Sequence, residues 1–139
     1  MPRLGVPFVF VATALFAEPP PFGKLVKLEG HRVHLHCEGS GSPTVVLLHG
    51  TPRFSFHFSL VQPDVARFAR VCVYDRAGEA WSDPVPGQPT TEIFVAELHR
   101  VVHRLSPRKP VVLAGHSVGG VLARAYQARH PERVAALAR

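Results

Sequence analysis

The segment that most constrains the fold of this chain is Gly115-His116-Ser117-Val118-Gly119. It sits directly between the apolar run Val111-Val112-Leu113-Ala114 and a helical pattern marked by Val121, Leu122, Ala125 and Tyr126. A Gly-x-Ser-x-Gly pentapeptide alone arises by chance in about one chain in twenty of this length at average composition. Placed between a strand and a helix it demands a sharp turn, in which glycines two before and two after the serine leave room for a strained backbone.

Other segments supply the sheet around that turn. Thr44–Leu48 and Arg70–Tyr74 are β-branched or apolar runs without alternation, as expected of strands covered on both faces. Lys24–Leu28 and Arg32–Cys37 roughly alternate about Glu29-Gly30-His31 and read as an antiparallel hairpin. Leu60–Phe68 reads as a helix with Pro63 in its first turn. Thr90 or Thr91 caps a helix whose apolar face is Ile93, Phe94, Leu98, Val101, Val102 and Leu105, ended by Ser106-Pro107. The helix after Ser117 stops near His130-Pro131, and 133–138 opens a further apolar segment. The class expected is α/β: a mostly parallel sheet with helices on both faces, an N-terminal antiparallel hairpin, and function at the C-terminal ends of the strands.

Composition narrows the alternatives. The 139 residues, 46% of them hydrophobic, suit one domain with one core. The net charge of +6 comes from arginines scattered from Arg3 to Arg139, with no stripe of the kind that binds nucleic acid. Arg100–Arg108 and Arg124–Arg133 read as solvated helix faces. Two cysteines, Cys37 and Cys72, exclude a disulfide scaffold and a CxxC site. Leu4–Phe16 is apolar but shorter than the roughly 20 residues a membrane span needs. With Arg3 before it, an A-x-A pattern at Ala12 and Ala14, and Glu18-Pro19-Pro20-Pro21 after it, residues 1–17 read as a signal peptide and 22–139 as the folded domain. That places the protein outside the cell or in the periplasm; without a leader it is cytoplasmic.

The turn also carries chemistry. It lifts the Ser117 hydroxyl clear of the sheet, and the helix N-terminus offers backbone donors to an oxyanion. His49-Gly50-Thr51-Pro52, at the end of the Thr44–Leu48 strand, can aim another backbone N–H at the same point, although alone it also reads as a plain strand exit. Tyr74–Asp83 ends the next strand with Asp75-Arg76-Ala77-Gly78 and Trp81-Ser82-Asp83.

These three segments, HG-x-P, DRxGxxxSD and GHSxGG in that order, resemble the α/β-hydrolase fold family, over residues 22–139. The resemblance implies that Ser117 is a nucleophile toward a small ester or related acyl substrate. It implies that the backbone N–H groups of Thr51 and Val118 form the oxyanion hole, supported by His49, Gly50, Gly115, His116, Gly119 and Gly120. Residues 75–82 are then a structural turn. Ala80 replaces the family's usual second glycine, and its Cβ strains the turn if that position needs positive φ. Members resembling dehalogenases and epoxide hydrolases carry Asp at the elbow, so a serine there favours esterase, lipase, thioesterase, peptidase or carbon–carbon hydrolase chemistry. No metal and no cofactor are expected. The family's sheet order sets the strands bearing Cys37 and Cys72 side by side, which leaves both a disulfide and two buried thiols open.

In this family the triad runs serine, acid, histidine along the chain. After Ser117 only Glu132 and His130 qualify, and His130 lies 13 positions along the elbow helix, about 20 Å away. The expectation is a truncated α/β-hydrolase fold without the triad acid and histidine. Its alternatives are a non-catalytic remnant or binding module, or half of a split enzyme. Such a sheet ends in an exposed edge prone to self-association. The other histidines offer no base. His34 and His36, with His31 nearby, suit a solvated hairpin face better than a metal site, and His99 and His103 lack the Glu of HExxH. His57 lies in an aromatic loop without a readable partner.

Overall fold

The computed structural model describes residues 22–138; the signal peptide expected over 1–17 lies outside them. In chain order the elements are β1 (Lys24–Lys27), β2 (Arg32–Glu38), β3 (Thr44–Leu48), a 3-10 turn (Ser55–Phe58), α1 (Gln62–Ala66) and β4 (Arg70–Tyr74). Then follow α2 (Thr91–Leu105), β5 (Val111–Gly115), α3 (Val118–Arg129), a second 3-10 turn (Pro131–Arg133) and β6 (Val134–Ala138). All six strands join one sheet, ordered β1-β2-β4-β3-β5-β6. β1 and β2 pair antiparallel, as do β2 and β4, while β4, β3, β5 and β6 run parallel. The hairpin and the mostly parallel sheet are those the sequence predicts.

Because side chains alternate across a strand, β3 feeds two cores at once. Val46 and Leu48 face the side covered by α2 and α3, packing with Leu98, Val102, Leu122 and Tyr126. Leu47 faces the opposite side, with Val71, Val73 and, from α1, Val65 and Ala66. This two-sided burial is why the β3 and β4 sequences are apolar without alternation.

α2 begins where Thr90 Oγ1 accepts a hydrogen bond from the Ile93 N–H at 3.3 Å. It buries Val95, Leu98, Val101, Val102 and Leu105 as its periodicity requires. α1 is shorter than the helix expected over Leu60–Phe68. The chain before it winds as a 3-10 turn, Pro63 occupies its first turn, and Leu60 and Phe68 are left exposed.

Cys37 and Cys72 face each other across the β2–β4 pair and form a disulfide; of the two states left open by sequence, free thiols are not the one observed. The solvated-face reading of the hairpin histidines is also overturned at His34, which is 0% exposed. β2 is paired on both sides, by β1 and β4, and Ser55 from the 3-10 turn lies against His34. Among the described residues no helix is long and apolar enough to cross a membrane.

Candidate functional site

The end of β5 and the start of α3 meet at Ser117, whose backbone is left-handed (φ 55°, ψ −123°). A non-glycine residue pays for that conformation with steric strain, and such strain collects at functional turns. The flanking glycines are required by close approach. A Cβ on Gly115 would lie 2.5 Å from backbone atoms of Gly119 and Gly120, and one on Gly119 would collide with the Leu48 carbonyl. The His116 N–H donates to that same Leu48 oxygen at 3.0 Å, tying the end of β5 to the end of β3. Gly119 and Gly120 donate back to His116 and Ser117, closing the first turn of α3. Ser117 is exposed and lines an open hollow of about 310 Å³ with Gly115, His116, Gly120, Val121 and Arg124.

The second loop leaves β3 at His49 and Gly50, both buried, and surfaces at Thr51. Gly50 packs on the elbow: a Cβ there would sit 3.0 Å from Ser117 Cβ. Its carbonyl is held by the Arg53 N–H at 3.1 Å and by His49 Nδ1, which donates at 3.0 Å. Among the described residues neither Thr51 nor Val118 gives its N–H to another backbone carbonyl. The two amides named from sequence are thus free at the strand ends that flank Ser117.

The histidines divide sharply. The His49 ring is buried and turns toward the end of β4, with Nε2 3.4 Å from Glu79 Oε2 and 3.9 Å from Asp75 Oδ1. Burial, reinforced by the Arg76 charge, lowers its pKa. His57, without a partner in the sequence reading, lies against His116, ring centroids 5.1 Å apart. Desolvation and the neighbouring Arg53 and His116 lower its pKa. His130 is at the far end of α3, stacked on His99 at 4.1 Å. Among the described residues no side chain hydrogen-bonds the Ser117 hydroxyl, and no group of three or more His, Cys, Asp or Glu is placed to hold a metal.

The turn after β4 contains what sequence reasoning left unassigned. Asp75 is fully buried; its Oδ1 accepts from the Ser55 N–H at 2.6 Å, and its Oδ2 lies 2.8 Å from His34 Nδ1. Ser82 Oγ donates to the Asp75 carbonyl and accepts from the His34 N–H at 2.9 Å. His34 Nε2 donates to the Phe22 carbonyl at 2.8 Å. Glu97 reaches under the turn to accept from the Ala77 N–H at 3.1 Å and pairs with His31 at 2.6 Å. Ala80 is left-handed at φ 42°, the conformation its glycine-replacing position was expected to strain.

A mostly parallel sheet flanked by helices, with a strained turn at the end of a central strand, is an α/β architecture with its candidate site at the strand ends. The profile described as the alpha/beta hydrolase fold matches residues 43–138; the chain belongs to this family. A 2-hydroxymuconate semialdehyde hydrolase of Pseudomonas sp. (strain CF600) is 33% identical over 83% of this chain and 41% of its own length. A proline iminopeptidase of Lactobacillus helveticus is 37% identical over 72% of this chain and 36% of its own. Among solved structures, a thermophilic esterase from Thermogutta terrifontis superposes with a TM-score of 0.72 at 28% identity, covering 77% of this chain and 39% of that one. An epoxide hydrolase mutant of Vigna radiata shares the fold with a TM-score of 0.76 at 24% identity, covering 82% and 36%. The chain spans between 24% and 42% of the length of eight curated relatives that it matches.

Proposed function

We propose that this chain carries the nucleophile half of a serine hydrolase acting on an ester or related acyl substrate. Ser117 attacks the carbonyl carbon, and the oxyanion that forms is received by the N–H groups of Thr51 and Val118. The observation that supports this most is the left-handed Ser117 beside two unengaged amides from different strand ends. A serine at the elbow favours acyl chemistry among the varied activities named for its relatives. An unassisted serine hydroxyl is a weak nucleophile, and although His116 lines the same hollow, no acid or histidine among residues 22–138 hydrogen-bonds the Ser117 hydroxyl. Both are assigned to residues outside this span, either in the same protein or in a partner chain.

The test supplies them. Residues 22–138 are fused to the remaining C-terminal part of the 2-hydroxymuconate semialdehyde hydrolase, and hydrolysis of p-nitrophenyl acetate is followed. Activity that Ser117→Ala removes is expected. A chimaera that unfolds cooperatively yet hydrolyses the ester no faster than its Ser117→Ala variant overturns the reading.

A further inference from the structure

Arg76 is the largest fully buried side chain described, 1% exposed, at the mouth of the sheet. Removing a guanidinium from water is costly unless its donors are used. Three of its four hydrogen-bonding partner residues lie on one loop, and its buried Nε has none. Nη1 donates to the His49 carbonyl at 2.6 Å. Nη2 lies 3.5 Å from the Gly50 carbonyl and donates to Thr51 Oγ1 at 3.3 Å. Its counter-charge is Glu79, whose Oε1 accepts from Nη2 at 3.0 Å, and its plane lies 5.6 Å from the Phe94 ring centroid. An apolar side chain would fill this space without a desolvation cost, so burial of a charge here calls for a role.

The peptide linking Gly50 to Thr51 is trans, so its carbonyl and its N–H point in opposite directions. Whatever holds the Gly50 carbonyl inward turns the Thr51 N–H outward. The Gly50 carbonyl is gripped directly by the Arg53 N–H and His49 Nδ1. The planar Arg76 fork binds the residues on either side, the His49 carbonyl and the Thr51 hydroxyl, and so fixes the stretch in a way a point charge on a flexible stem cannot.

We propose that Arg76, neutralised by Glu79, is the positioning residue for the Thr51 N–H, holding the His49–Thr51 loop from behind. This rests on the oxyanion assignment made above and extends it to a residue the sequence treats as part of a passive turn.

The test is made first on the complete chain, labelled with 15N, in Arg76→Lys, which keeps the charge but not the fork, and in Arg76→Ala. The Gly50 and Thr51 amide resonances are expected to shift or broaden in both, while those of Gly115–Gly120 hold. Methylguanidinium, but not methylammonium, is expected to restore them in Arg76→Ala. Should either variant fail to unfold cooperatively, Glu79→Gln is read instead, with the same two amides moving. In the chimaera, Arg76→Lys is expected to lower kcat about 10- to 100-fold with KM within about twofold. Unmoved Gly50 and Thr51 amides in a folded variant, or shifts spread through the sheet without rescue, overturn the proposal. An inactive chimaera in which Thr51 still responds to Arg76 overturns the hydrolase reading and leaves this coupling standing.

Discussion

Gly50 and Ser117, on different loops, approach so closely that a Cβ added to Gly50 would lie 3.0 Å from that of Ser117 and 3.1 Å from His116 Nδ1. Gly50→Ala therefore presses the two loops apart at the point where they converge. A loss of about 1–2 kcal/mol in urea unfolding is expected. Gly119→Ala, whose Cβ meets the Leu48 carbonyl, should cost more, because a backbone atom at the end of a central strand cannot step aside. Equal stabilities for the two variants and the parent chain would contradict this packing.

Ala80→Gly is expected to stabilise the protein. Ala80 holds φ 42°, a conformation costing an L-residue roughly 1–2 kcal/mol that glycine avoids. Glycine's greater freedom in the unfolded chain returns part of this, leaving a net gain of about 0.5–1 kcal/mol. A shift of the urea midpoint to lower concentration would show that the turn does not carry this strain.

Glu97 sets a pH dependence. Burial raises its carboxyl above the usual 4.5, outweighing the His31 and Ala77 hydrogen bonds that lower it. The folded state then binds this proton more tightly than the unfolded state does. The contribution is complete below about pH 4.5 and is lost as pH rises through the elevated value. Glu97→Gln cannot ionise, so its stability relative to the parent chain should grow as pH climbs across that window. Urea titrations in pH steps from 4 to 7 read the difference directly, and a difference that stays flat or declines would reject the assignment.

The Cys37–Cys72 disulfide joins residues 35 apart in sequence. Chain-entropy arguments assign a closed loop of that size roughly 3–4 kcal/mol. The Cys37→Ala, Cys72→Ala double variant is expected to lose about that much, and the parent chain to lose it on reduction. Thiol titration of the denatured, unreduced protein should find no free thiol; finding two would remove the cross-link.

Local signals reached much of this architecture. The β-branched runs gave β3 and β4, the 3.6-residue pattern from Ile93 to Leu105 gave α2, and Gly115–Gly119 located the turn at Ser117. What stayed hidden depends on segments far apart in sequence. His34 reads as a surface residue because its neighbours Phe22, Ser55 and Asp75 come from three other places in the chain. Arg76 follows a strand in a turn, where a charged residue ordinarily faces water; only β4 lying beside β3 brings it against the His49 and Gly50 carbonyls. His57 found its neighbour His116 by the same kind of long-range approach.

The strand order has a kinetic consequence. β3 pairs directly with β5, although β4 and α2 separate the two strands in sequence, so Thr51 and Ser117 become neighbours only when that long-range pairing forms. No hairpin or local folding unit holds both residues, and pairing so remote in sequence is slow to nucleate. The constellation around Ser117 is therefore assembled only when β5 pairs with β3 and has no form confined to one hairpin. Amide protons buried between β3 and β5 should exchange with the same opening free energy that disassembles the site.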